Sequence, residues 1–112
     1  MINYNNKSFR PISSSENSEI TSDTIFVYKQ KGDILTSTYN GANIIEGHLI
    51  GLVDNDGTIN MRYHQINKNG ELMTGICMSK PEIDSNGKIK LYESWVWTSG
   101  DKSKGTSILK EI

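Results

Sequence analysis

The chain has 112 residues, a formal charge of −1 and one cysteine. Its length gives one domain with a modest core, and its near-neutral charge offers no electrostatic footprint for nucleic acid or an anionic membrane. No apolar run approaches the roughly 18 residues of a membrane helix, and the lone Cys77 excludes both an internal disulfide and a cysteine cluster for zinc.

Residues 1–6 have neither the basic start nor the apolar block of a secretory signal, so a cytoplasmic location is expected. Residues 2–4 and 9–12 read as two short strands. Pro11 puts the second at an edge or a strand end, because proline cannot donate to a ladder. Residues 13–23, rich in serine with Glu16 and Glu19, read as an exposed connection whose only strongly apolar residue is Ile20. The single domain thus divides into an amino-terminal part, 1–23, and a hairpin meander, 24–112.

From residue 24 onward alternating runs at 24–31, 34–39, 43–53, 58–66, 72–79, 88–98 and 106–111 are separated by turn signals. These are Gly32-Asp33, Asn40-Gly41, Asp54-Asn55-Asp56-Gly57, Asn67-Lys68-Asn69-Gly70, Asp84-Ser85-Asn86-Gly87 and Ser99-Gly100-Asp101. Asn-Gly and Asp-Gly supply the positive φ of tight hairpin turns. Period-two alternation is the mark of half-buried strands, and no helical periodicity of useful length occurs. About eight or nine strands joined by hairpins form an antiparallel meander, and closure removes its two exposed edges. The expected fold is therefore an all-β up-and-down barrel of lipocalin or calycin type.

Turns with an even number of loop residues predict which side chains share the interior. Read this way, one face collects Phe26, Tyr28, Leu35, Tyr39, Ile44, His48, Ile50, Leu52, Ile59, Met61, Tyr63, Leu72, Ile76, Met78, Leu91, Trp95 and Trp97. Ser37, Glu46, Gln65, Thr74 and Glu93 fall on the same face. The other face holds Lys29, Asn60, Arg62, His64, Lys88, Lys90 and Ser94, a solvated pattern. It also holds Ile25, Val27, Ile45, Leu49, Val53, Met73 and Val96, more apolar surface than a small monomer leaves wet. Either residues 1–23 cover that strip or two copies pair through it as a homodimer. A three-residue loop with a bulge would invert the faces of one strand.

The inner face mixes aromatic volume with a few polar groups, the composition of a small-molecule pocket, and an eight-stranded barrel is just wide enough to hold one small ligand. The candidate ligand-binding residues are Tyr28, His48, Tyr63, Gln65, Glu93, Trp95 and Trp97. Three readings stand side by side: a filled core, a non-catalytic ligand pocket, and a catalytic pocket with His48 and Glu93 as a general acid–base pair. No strand pairing makes those two adjacent. Cys77 reads as a small strand residue rather than a nucleophile. Asp54-Asn55-Asp56-Gly57 starts like a calcium loop, but the loop's glycine position falls on Ile59 and its twelfth on Gln65. The Gly-, Ser- and Lys-rich residues 98–107 lack P-loop spacing and no helix follows them. No metal and no cofactor is expected.

The blocks Gly47-His48-Leu49-Ile50-Gly51-Leu52-Val53-Asp54, Met61-Arg62-Tyr63-His64-Gln65, Gly70-Glu71-Leu72-Met73-Thr74-Gly75-Ile76-Cys77 and the run from Trp95-Val96-Trp97 to Gly105 resemble a family of small bacterial proteins often labelled "N-acetylglutamate synthase". The resemblance covers nearly the whole chain. The label implies an acetyltransferase. Such enzymes resemble a mixed α/β fold with a glycine-rich loop leading into a helix that holds the acetyl-CoA pyrophosphate. This sequence has no such loop and helix, and no catalytic residue is carried over.

Overall fold

The computed structural model describes residues 2–112; Met1 lies outside them. Eight strands run in chain order: β1 (Ser8–Ser14), β2 (Ile25–Lys31), β3 (Ile34–Gly41), β4 (Ile44–Val53), β5 (Ile59–Asn67), β6 (Leu72–Ile83), β7 (Ile89–Trp97) and β8 (Lys104–Glu111). Each pairs antiparallel with the next, and β1 returns to β8 through pairs such as Phe9–Glu111 and Pro11–Leu109. The sheet is closed, so no ladder edge runs the length of the molecule, as expected from the meander. Pro11 lies inside β1 rather than at its end, beside a bulge between Pro11 and Ser13 where the ladder is already interrupted. Pro81 lies in β6 beyond its last pairing with β5, Ile59–Ser79, where a missing N–H breaks nothing on that side.

Three hairpins use the same turn. In each, an Asx side chain accepts the N–H groups two and four residues on: Asp54 Oδ1 from Asp56 and Thr58 (2.9 and 3.0 Å), Asn67 Oδ1 from Asn69 and Glu71 (3.0 Å each), Asp84 Oδ1 from Asn86 and Lys88 (2.8 and 3.0 Å). The glycine in the fourth position has positive φ: Gly57 83°, Gly70 77°, Gly87 78°. The first and fifth residues bond to each other through the main chain, leaving a three-residue loop.

That odd count overturns part of the even-turn expectation. Val53 faces Ile59, Tyr63 faces Gly75 and Trp95 faces Cys77. At the start of β4 the register also slips, and Ile45 and Glu46 both point outward as a bulge. From Gly47 on, β4 therefore shows the opposite face to the one expected. His48, Ile50 and Leu52 are outside, and Leu49 and Val53 inside; Glu46 is exposed too. In β6, Leu72, Ile76 and Met78 are exposed and Thr74 is partly so, while Gly75, Cys77 and Ser79 point inward. Met73, expected outside, packs partly against the core. Strands β2, β3, β5 and β7 keep their expected faces: Phe26, Tyr28, Leu35, Ser37, Tyr39, Met61, Gln65, Glu93, Trp95 and Trp97 are all buried.

Residues 2–4 form no strand. Tyr4 is fully buried and plugs one end of the barrel, its hydroxyl donating to the Gly57 carbonyl at 2.5 Å. Its ring packs against Phe9 and Tyr28, with centroids 6.2 and 6.1 Å away. The connection between β1 and β2 is likewise not the exposed loop expected: it lies over the opposite end of the barrel, and Ser18, Glu19 and Ile20 are half-buried there. Of the apolar residues expected outside, Ile25, Val27, Ile45 and Val96 are exposed while Leu49 and Val53 are buried; Ile50, Leu52, Ile76 and Met78, expected inside, join the exposed set on β4–β7, and the amino-terminal part, which lies at the two ends and in β1, does not cover it.

Candidate functional site

The interior near the β1–β2 connection holds a half-open cavity with about 50 Å³ of free space, room for a few water molecules. Its wall is aromatic. Trp95 and Trp97 meet edge to face at 5.5 Å, Trp97 meets Tyr63 at 5.7 Å, and Phe26 lies 4.6 Å from Tyr39. Both indole N–H groups are spent on the frame: Trp95 Nε1 donates to Ser107 Oγ at 3.0 Å and Trp97 Nε1 to the Asn17 carbonyl at 3.1 Å.

These rings fit because glycines face them. Tyr39 pairs across the strands with Gly47, Tyr63 with Gly75 and Trp95 with Gly105. A Cβ at Gly47 would lie 2.3 Å from the Tyr39 ring, one at Gly75 2.2 Å from the Tyr63 ring, and one at Gly105 2.5 Å from the Trp95 ring. An inward glycine opposite an inward aromatic lets a large ring lie against the barrel wall and leaves the centre partly open.

Among the polar groups that face the cavity are Tyr28, Glu93 and Gln65. Tyr28 is fully buried and its hydroxyl has no hydrogen-bond partner. Burial, and then the charge of Glu93, push its ionisation far above the usual phenol range, so it is an O–H donor at any ordinary pH. Glu93 is buried, and burial raises its carboxyl from 4.5 to about 7. Near neutral pH it can therefore act as an acid or as a carboxylate acceptor. Gln65 accepts the Tyr39 hydroxyl on Oε1 at 2.8 Å and donates from Nε2 to Glu19 Oε1, also at 2.8 Å.

Six of the seven candidate residues, Tyr28, Tyr63, Gln65, Glu93, Trp95 and Trp97, line this one cavity. His48 does not. It sits on the outer face, bonded to Glu46 at 2.9 Å and stacked on His64 at 5.4 Å, with the barrel wall between it and Glu93. The acid–base pair that the catalytic reading needs of His48 and Glu93 is therefore not formed, because the bulge at Ile45 and Glu46 turns the imidazole outward. Burial drives the Cys77 thiol far above its usual range, so no thiolate is offered. Among the described residues, no group of three or more His, Cys, Asp and Glu side chains is placed to hold a metal ion.

Sequence reasoning missed Leu49, Cys77, Ser18, Glu19 and Ile20 as lining residues. The in-strand glycines carried the signal for Leu49 and Cys77, since glycine inside a strand marks a close approach and hence an inward position. Nothing in the local pattern of residues 13–23 marks Glu19 as inward.

No curated protein sequence and no solved structure matches the chain. No comparison links it to an N-acetylglutamate synthase, and the acetyltransferase activity implied by that resemblance has no support. The model of the avidin-like protein family matches residues 2–112. A closed eight-stranded meander with an aromatic-walled interior agrees with that match, and the chain belongs to the avidin-like protein family.

Proposed function

We propose that the protein binds a small, partly apolar molecule inside the barrel. One observation carries this reading: a fully buried Tyr28 hydroxyl without a partner lies in an aromatic-walled cavity beside the buried Glu93 carboxyl. A buried donor left unpaired costs about 1–3 kcal/mol, a penalty that a ligand acceptor would remove on binding. The indoles supply the apolar contact and Tyr28 and Glu93 the orientation. The reading is non-catalytic: the Cys77 thiol, which faces the cavity with Glu93, is held protonated by burial and offers no nucleophile. Native mass spectrometry of freshly purified protein reports a captured molecule, and tryptophan fluorescence follows rebinding. Trp95→Ala should abolish the fluorescence response with the fold retained. If a broad small-molecule panel produces neither a fluorescence response nor a thermal shift, the reading falls.

Self-association is proposed beside it. Ile50, Ile76 and Val96 lie in one row across β4, β6 and β7, and Leu52 and Met78 in the next, with Arg62 and Asn60 between. Leu52 is 57 % and Ile50 56 % exposed. Such a strip suits an interface between copies, and a strictly monomeric particle in light scattering would remove this second proposal.

A further inference from the structure

The mouth of the cavity already holds a carboxylate, and it is the chain's own. Glu19 Oε1 accepts from Gln65 Nε2 and Glu19 Oε2 from Asn67 Nδ2, each at 2.8 Å. One carboxylate on two amide donors is the geometry of bidentate anion recognition. Both amides are buried and both are oriented by the frame. Asn67 Oδ1 is held by the Asn69 and Glu71 N–H groups, so its NH2 must point to the mouth. Gln65 Oε1 takes the Tyr39 hydroxyl; the flipped amide would aim an oxygen at the Glu19 carboxylate. Glu71 Oε1 also accepts from Asn67 Nδ2, at 3.0 Å.

Glu19 sits on a strap with separate fixings. Ser15 N–H bonds to the Thr106 carbonyl and Thr24 N–H to that of Thr21, while Asn17 Nδ2 holds Ser103 Oγ and the Lys104 carbonyl. Ser18, Glu19 and Ile20 form one wall of the cavity. The free space of about 50 Å³ beneath them admits a few waters. A ligand that fills the barrel beyond that space meets these three residues.

We propose that Glu19 is a built-in competitor: a small monocarboxylate with an apolar tail enters the barrel, places its own carboxylate on the Gln65 and Asn67 amides, and displaces the strap. The exchange is neutral at the mouth. One carboxylate replaces another on the same donors, Glu71 meets the same charge as before, and Glu19 is released to water. Affinity then comes from the tail against Trp95 and Trp97 and from the space that the strap vacates. The inference rests on the interior ligand pocket proposed above and specifies the head group that the mouth accepts.

Tryptophan fluorescence titrations with butanoate through decanoate, and with the matching 1-alkanols, test it on the full chain. Wild-type protein binds the carboxylates in preference to the alcohols. Glu19→Ala tightens carboxylate binding roughly tenfold, because the intramolecular competitor is gone. Asn67→Asp keeps the turn, since its side-chain oxygen still accepts both N–H groups. It replaces the mouth donor with a carboxylate and abolishes the preference for carboxylate over alcohol. Circular dichroism of each variant reports the fold. If alcohols and carboxylates bind alike to wild type and to Glu19→Ala, or if Glu19→Ala leaves carboxylate affinity unchanged, the inference is wrong while the pocket stands. If neither series binds any of the three proteins, the pocket reading fails and takes this inference with it.

Discussion

Glu93 makes the stability of this barrel depend on pH in a direction opposite to most carboxylates. Its folded-state value of about 7 lies above its ordinary 4.5. Below 4.5 the group is protonated in both folded and unfolded chains and has no effect. Between 4.5 and about 7 the unfolded chain gives up its proton while the folded one keeps it, so stability falls as pH rises. Above about 7 the full loss is in place. At about 1.4 kcal/mol per pH unit, the gap between the two values corresponds to about 3 kcal/mol. Glu93→Gln keeps size and hydrogen-bonding capacity but carries no charge, so the difference between variant and wild type isolates this group. The variant should match wild type near pH 4 and exceed it by about 3 kcal/mol near pH 8. For a domain of this size that is a rise in Tm of about 10 °C. Urea denaturation of both proteins across this range measures it; the other titrating groups, including the exposed Asp84 and Asp101, cancel in the subtraction. A difference that does not grow with pH, or a variant less stable at pH 8, would show that the carboxylate is solvated or paired and that the burial argument is wrong.

Tyr28→Phe removes a buried hydroxyl without a partner and should stabilise the apo protein by about 1 kcal/mol while weakening ligand binding; a clear loss of stability in denaturant would show that the hydroxyl is bonded. Gly75→Ala places a methyl group against the Tyr63 ring and should cost about 2–3 kcal/mol. Tyr63→Leu in the same chain should recover part of that, and a double-mutant cycle with no coupling would exclude the glycine–aromatic contact as its cause. His48→Ala, on the outer wall, should change stability by no more than about 0.5 kcal/mol and leave ligand affinity alone; a large fall in affinity would put the imidazole back in the site.

The barrel was legible because turn signals recur at short intervals and no stretch carries helical periodicity. The indole pair was legible too: Leu91, Glu93, Trp95 and Trp97 alternate cleanly through β7, and their burial follows from that parity. What failed was the transfer of parity from strand to strand. An Asx-x-Asx-Gly turn joins its strands through a three-residue loop, whereas the even count assumed for it reverses every side chain beyond. In-strand glycines were the available correction. Gly47 and Gly51 share their parity with Leu49 and Val53, and Gly75 shares its own with Cys77. Glycine opposite an aromatic is an inward position, so the pairing of Gly47 with Tyr39 outranks the apolar count that drew Ile50 and Leu52 inward. The strap was illegible for another reason. Its inward residue is a glutamate in a serine-rich run, and only the two amides it meets in space, on β5 far along the chain, account for its burial.

The three repeated turns separate what the fold needs from what the mouth needs. In each, the first residue has one task for the backbone: an oxygen that accepts two N–H groups. Aspartate and asparagine perform that task alike. Positions 54 and 84 carry aspartate, and the Asp84 carboxyl is held below its ordinary range by the N–H groups of Lys88 and Asn86. Position 67 is the one of the three at the strap end, and there the residue is asparagine, whose second atom is a donor. An aspartate at 67 would form the same turn but would set a third carboxylate beside Glu19 and Glu71. The backbone gives no reason for the amide; the carboxylate it grips does. The choice between two side chains that the turn cannot distinguish is therefore a statement about what the mouth holds, and it points to the same chemistry as the strap.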